Sequence, residues 1–173
     1  MSTTTIDDQL EEIRHRIDRL RTSAQAGEPR IRRHLDALHD EEAAVRAAVR
    51  QAPDEVEEKL GQLKTRLDVA EHSLEADASD DWATFAAAVE AELHSWDTYL
   101  ERLQTSVAAR AWKAREQAEA AIGDVRSRRI AVGERLAQTR DSAGATSQEA
   151  RKHITAARDE LERKAAELSA RLR

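Results

Sequence analysis

Residues 56–74 read VEEKLGQLKTRLDVAEHSL, and within them Val56, Leu60, Leu63, Leu67, Ala70 and Leu74 recur at alternating steps of four and three. An α-helix makes one turn in about 3.6 residues, so such steps set the side chains along one line of its surface. The line runs on in both directions. Upstream it passes through Ile6, Leu10, Ile13, Ile17, Leu20 and Ala24, then Ile31, Leu35 and Leu38, and then across Glu42 to Val45 and Val49. Downstream it resumes as Trp82, Phe85, Val89, Leu93, Trp96, Leu100, Leu103 and Val107. A stripe this narrow, about two positions in seven, is the seam of a coiled coil or a slender bundle. The expected fold is all-α, an elongated antiparallel helical bundle or coiled coil.

Composition agrees with thin seams rather than a thick core. The chain has 173 residues, consistent with one domain, with 36% charged and only 3% aromatic side chains. Five Gly and two Pro leave few places to turn, so the helices must be long. There is no Cys, which excludes disulfides and thiolate metal sites. The opening MSTTTIDDQLEE lacks a basic stretch followed by an apolar one, so no signal peptide is expected. No apolar run approaches the roughly 20 residues that span a bilayer. The resulting expectation is a soluble cytoplasmic protein, peripheral to a lipid surface if it meets one at all.

Turn residues divide the chain into helices over about 6–26, 29–77, 80–140 and 147–172. Gly27 suits a helix C-terminus and Pro29 a first helical turn. Ser79 is the expected N-cap of the third helix, with Asp80 and Asp81 in its first turn. Thr146 and Glu149 have the spacing of a capping box. Pro53 is the difficult position. Ala52 is a poor N-cap, and the stripe passes through in phase from Val49 by Ala52 to Val56, so a kink near residue 53 is expected in preference to a break. Laying 29–77 against 80–128 about the turn at 76–81 puts Trp96 opposite Leu60 and Leu63, with the last helix folding back along about 115–140. Residues 54–107 then form a projecting two-helix arm. Residues 54–101 carry 3 Lys+Arg against 14 Asp+Glu, whereas residues 102–173 carry 16 against 10, so the arm is acidic and the C-terminal third basic.

A lone two-helix arm buries little surface, and a second copy is its simplest partner. The expected association seam is Val56, Leu60, Leu63, Leu67, Leu74, Trp82, Phe85, Val89, Leu93, Trp96, Leu100 and Leu103. Arg110, Lys113, Arg115, Arg126, Arg128, Arg129 and Arg135 are candidate contacts for an anionic surface, whether phospholipid, nucleic acid or the protein's own acidic arm. Interleaved Glu116, Glu119, Asp124 and Glu134 dilute that patch, so nucleic-acid binding should be weak and salt-sensitive. Trp112 lies one position off the stripe, which suits either a neighbouring helix or a partner.

Six His invite a search for metal ligands. Glu12 with His15, and Asp36 with His39, have the spacing found in carboxylate-bridged di-iron bundles, but both pairs lie off the inner face. Glu90, His94, Asp97 and Glu101 form a polar row that reads as a solvated acidic face. No Gly-rich phosphate loop, Ser/His/Asp grouping or zinc spacing is present. No metal, cofactor or catalysis is therefore expected.

The Pro-punctuated amphipathic segments 6–26, 29–52 and 53–77, and the 25-residue recurrence that links Ile6, Ile31 and Val56, resemble the tandem helices of apolipoproteins and of phasin-type granule coats. Arg129-Ile130-Ala131-Val132-Gly133-Glu134-Arg135 is similar to a stretch of the heparin-binding haemagglutinin family of long-helix proteins. The first of these resemblances implies amphipathic helices that open onto a lipid surface, and the second implies another long-helix protein, without the Lys-rich tail by which that family binds sulfated sugars. The residues themselves point first to a non-catalytic, self-associating scaffold or adaptor, most simply a dimer, with a reversible coat for a droplet or anionic membrane as the alternative.

Overall fold

A computed structural model describes residues 3–23, 28–141 and 147–172. Among them there is no strand. Six helices follow one another: α1 (Thr3–Ser23), α2 (Pro29–Gln51), α3 (Val56–Ala78), α4 (Trp82–Ala108), α5 (Trp112–Asp141) and α6 (Ser147–Leu172). Of the loop expected at 141–145, Asp141 still belongs to α5, and 142–145 lie outside the described residues together with Gly27 and Thr146.

Pro53 breaks the helix rather than kinking it. Ala52 leaves helical geometry at φ −144° and ψ 70°, and Pro53–Glu55 form a single 3-10 turn before α3 begins. Proline has no N–H to continue the ladder and drives the residue before it out of the α region. The Ala52 N–H closes α2 on the Ala48 carbonyl at 2.9 Å, and the chain then reverses. Arg30 meets Asp77 and His34 meets Arg66, so position falls along α3 as it rises along α2. The in-phase stripe thus serves two antiparallel helices instead of one long rod.

The expected helix over 80–140 is also two. α4 ends at Ala108, the Arg110 N–H bonds to the Val107 carbonyl, and α5 starts at Trp112. Ala108, Ala109 and Ala111 are good helix formers, so nothing local forces this stop. Packing does. α5 folds back along α4 and sets Arg126 on Gln104, Arg129 on Asp97 and Arg140 on Glu90. The charge asymmetry seen in the sequence is spent within the molecule, as basic α5 runs antiparallel to acidic α4.

The α3–α4 pair forms the most extensive helix contact and does not stand free. α1 and α2 pack on α3, α5 packs on α4, and α6 contacts both α5 and α2. The expected projecting arm is therefore the middle of the structure. Its register also differs: Trp96 lies against the Arg66 guanidinium, 4.7 Å away, and Gly61 lies against Arg102. The turn explains the shift. Asp81, not Ser79, caps α4, its carboxylate accepting from the Thr84 N–H at 2.8 Å and the Thr84 hydroxyl at 2.6 Å. Ser79 instead closes α3, donating from Oγ to the Glu75 carbonyl at 2.7 Å.

Two apolar clusters result. One joins Leu10, Ile13, Ile17, Leu20, Leu38, Val45, Leu60, Leu63, Leu67 and Ala70 across α1, α2 and α3. The other joins α4, α5 and α6 through residues such as Phe85, Trp96, Leu100, Ile122, Val125, Ile154 and Leu161.

Candidate functional site

Between the two apolar clusters lies a buried ionic centre to which α2, α3, α4 and α6 all contribute. Arg158 of α6 is its hub, with no exposed side-chain surface. Its Nε donates to Glu92 at 2.8 Å, Nη1 to Asp77 at 2.8 Å, and Nη2 to the Ser73 carbonyl and hydroxyl at 3.1 and 3.0 Å. Glu92 of α4 is equally buried. One helical turn beyond Arg158, Glu162 accepts from His34 of α2 at 2.7 Å and from the Ser73 hydroxyl at 3.4 Å. Arg30 spans Asp77 at 3.1 Å and Asp159 at 2.9 Å, and Arg33 reaches Asp159 and Glu162.

The His34 contacts fix its chemistry. Arg66 Nη1 lies 2.9 Å from His34 Nδ1. A guanidinium only donates, so Nδ1 must accept and the ring proton sits on Nε2, directed at Glu162. His34 is then neutral. The innermost charges balance as Arg30, Arg66 and Arg158 against Asp77, Glu92 and Glu162. Burial pushes the Glu162 carboxyl up, but the His34 hydrogen bond and the charges of Arg30 and Arg158 outweigh it and hold the group below the usual carboxylate range. Burial likewise opposes the charge on Arg158, and Glu92 and Asp77 overcome that, holding it above the ordinary arginine range.

A second cluster adjoins the first through Arg66, whose guanidinium lies over Trp96 at 4.7 Å and near Tyr99 at 6.0 Å. The Tyr99 hydroxyl donates to Glu41 at 2.5 Å. Burial raises both groups: the Glu41 carboxyl despite Tyr99 and Arg66, and the Tyr99 phenol well above its usual range.

The ligand atoms of His34, Glu92 and Glu162 lie within 4.8 Å of one another, which raises the question of a metal ion. The donor set does not fit one. A ligating imidazole presents a lone pair to the metal and normally donates its other N–H outward. His34 does the reverse, because Arg66 occupies Nδ1 and Nε2 carries the proton. The surrounding guanidinium groups already neutralise the two carboxylates, so a divalent ion would add uncompensated charge in a buried place. The centre is an ion-pair and hydrogen-bond network. Glu92 Oε1 and the Nε atoms of Arg30 and Arg33 are its buried polar atoms without a hydrogen-bond partner, Arg30 Nε standing 3.8 Å from Glu162.

The residues singled out in the sequence are distributed differently. Of the expected association seam, Val56, Leu60, Leu63, Leu67, Phe85, Val89, Leu93, Trp96, Leu100 and Leu103 are buried within the single chain, and Leu74 and Trp82 are half-buried. That seam is the chain's own core. Among the basic candidates, Arg110 donates to the Leu172 carbonyl, Arg115 lies over Trp112 and near Glu119, and Arg126 and Arg129 bind α4. Lys113, Arg128 and Arg135 are exposed. Trp112, 73% exposed, stands apart from the core. His15 is exposed beside Glu11, Asp36 and His39 are exposed on α2, and Glu90 and Asp97 are paired with α5.

A cleft of about 820 Å³ opens over one edge of the ionic centre, between the start of α2, the end of α3 and α6. Arg30, Arg33, Arg151 and Arg163 line it together with Glu28, Asp77, Asp159 and Glu160, so its two signs of charge are matched. No helix among the described residues is long and apolar enough to cross a membrane. Comparison with protein-family models, curated proteins and solved structures gave no match to the chain.

Proposed function

We propose that this protein is a non-catalytic, self-associating helical scaffold or adaptor. The observation that carries this reading is the commitment of the buried ionisable groups to one another across four helices. Acids and bases held for catalysis face a substrate with a free lone pair or proton. Here His34 has both nitrogens engaged, and Arg158 is closed in by Glu92, Asp77 and Ser73. Such a centre fixes which helices pair and in what register, because any slip leaves a charge buried alone. Association must keep the leucine seam covered, since that seam fills the core. Light scattering across protein concentrations tests the reading; a strictly monomeric chain at all concentrations would refute self-association.

A reversible lipid coat is the second reading, and Trp112 is the observation in its favour. Its ring is exposed at the start of α5, under Arg115 and next to Lys113, a combination suited to the headgroup region of an anionic bilayer. Flotation with liposomes rich in anionic lipid separates the readings. A protein that floats, and whose Trp112→Ala variant stays at the bottom, supports the coat; wild type at the bottom leaves the scaffold.

A further inference from the structure

We propose that the α1–α2 hairpin exchanges between two copies of this chain, with Ala52–Glu55 as the hinge. The inference rests on the self-association reading and gives it a physical route. Between Pro29 and Ala78 the backbone departs from α-helix only at Ala52–Glu55. Buried or partly buried Val45, Ala48, Ala52, Val56, Leu60 and Leu63 follow one another across that segment at steps of three or four. The two helices therefore share one phase, and α2 can continue into α3 as a single rod with its apolar line unbroken. A short connection between elements that share one apolar phase is a setting in which hairpins exchange, and Pro53 is the one hinge residue that holds the open rod back.

The contacts show what moves together. α1 and α2 cover the apolar line of α3 through Leu10, Ile13, Ile17, Leu20, Leu38 and Val45. They reach the rest of the chain through polar bonds: Arg16 to Asp68 and Glu71, and Arg30, Arg33 and His34 to Asp77, Asp159 and Glu162. Lifting the hairpin away strips Leu60, Leu63 and Leu67 of cover and takes His34 from both Arg66 and Glu162. A detached hairpin has one fully satisfying destination, the same surface on a second copy. The exchanged dimer remakes every one of these contacts and changes backbone conformation only at the hinge.

The test uses pairs in contact across the α1–α3 face. Gln9 and Lys64 are partners at 3.1 Å, and the chain has no native Cys. Full-length Gln9→Cys and Lys64→Cys variants are mixed, unfolded together, refolded and treated with a short bis-maleimide. Exchange yields covalent heterodimers from the species that light scattering identifies as a dimer. Pro53→Ala should raise the dimer-to-monomer ratio on the order of a hundredfold per hinge, the factor that relieving a helix of an interior proline is worth. A Gly-Gly-Ser insertion after Ala52 should return the chain to monomer. A dimer that gives no heterodimer crosslink overturns the exchange and leaves self-association standing. Monomers alone, in wild type and in Pro53→Ala, overturn both.

Discussion

Replacing Arg158 with Met is the sharpest test of the buried centre. The side chain is fully buried and joins Glu92, Asp77 and two Ser73 oxygens. Methionine keeps much of the volume, so the lost packing is small. What remains is Glu92, fully buried, with one oxygen already unpartnered and the other newly so. Removing one member of a buried pair costs about 3–5 kcal/mol, because the surviving charge has neither water nor counter-ion. For a domain of this length each kcal/mol moves Tm by about 2–4 °C, so Arg158→Met should melt roughly 6–20 °C below wild type. Urea unfolding followed by helix circular dichroism supplies the free energy, and an unchanged m-value confirms that the same surface is exposed on unfolding. The double variant Arg158→Met with Glu92→Leu removes the stranded charge, and most of the loss should return even though two ion-pair members are gone. If the single substitution cost less than about 1 kcal/mol, or the double variant recovered nothing, Glu92 would not depend on Arg158 and the centre would have been misread.

Acid should weaken the fold through Glu162. Its folded-state group lies below the ordinary value of 4.5, so its stabilising contribution is complete above pH 4.5 and is lost as pH falls from there through the folded-state value. Urea unfolding at a series of pH values should show that loss, and Glu162→Gln should flatten this part of the profile while lowering stability at pH 7. Leu60→Asp combined with Leu63→Asp should abolish the helical signal itself rather than merely change the oligomer, since both side chains lie in the core. Gly123 has open space where a Cβ would stand, so Gly123→Ala should stabilise α5 by up to about 1 kcal/mol in the same urea assay. At Gly61 an added Cβ would fall 2.5 Å from Arg102 Nη1, the far end of a flexible and exposed side chain; Gly61→Ala should therefore raise Tm slightly as Arg102 swings aside.

The helical class, and the start of α2 at Pro29, stand in the stripe and the capping residues. The reversals at Ala52 and Ala109 do not. An apolar line that stays in phase looks the same whether one helix carries it onward or two helices face each other with it. Only Pro53 gave local notice of a stop, and near Ala109 there is none. The ionic centre left a fainter trace. Along α6 the stripe steps seven residues from Ile154 to Leu161, and the seam position between them is Arg158. His34, Arg66 and Glu92 each directly precede a stripe leucine, so each lies about 100° around its helix from the seam. A helix packed on two sides buries such flanking positions, whereas a two-helix seam would leave them in water. The narrow seam alone therefore leaves these residues unmarked, whereas His15, His39 and His94, the histidines with ligand-like spacing, are exposed.

That widening of the buried face also explains why a chain with so few aromatics keeps charges inside. Seams built from leucine and alanine are nearly interchangeable, and a helix can slide by a turn along one at little cost. The in-phase stripe across Pro53 makes that degeneracy acute, because α2 has the same apolar spacing to offer whichever surface it meets. Arg158, Glu92, Glu162 and His34 remove it. Each has its partner on another helix, so a slipped register strands several charges together while the apolar contacts barely change. An exchange of hairpins between copies keeps every pairing intact, whereas a sliding rearrangement within one copy breaks them. The same centre that forbids alternative packings of the single chain is thus compatible with one way of joining two.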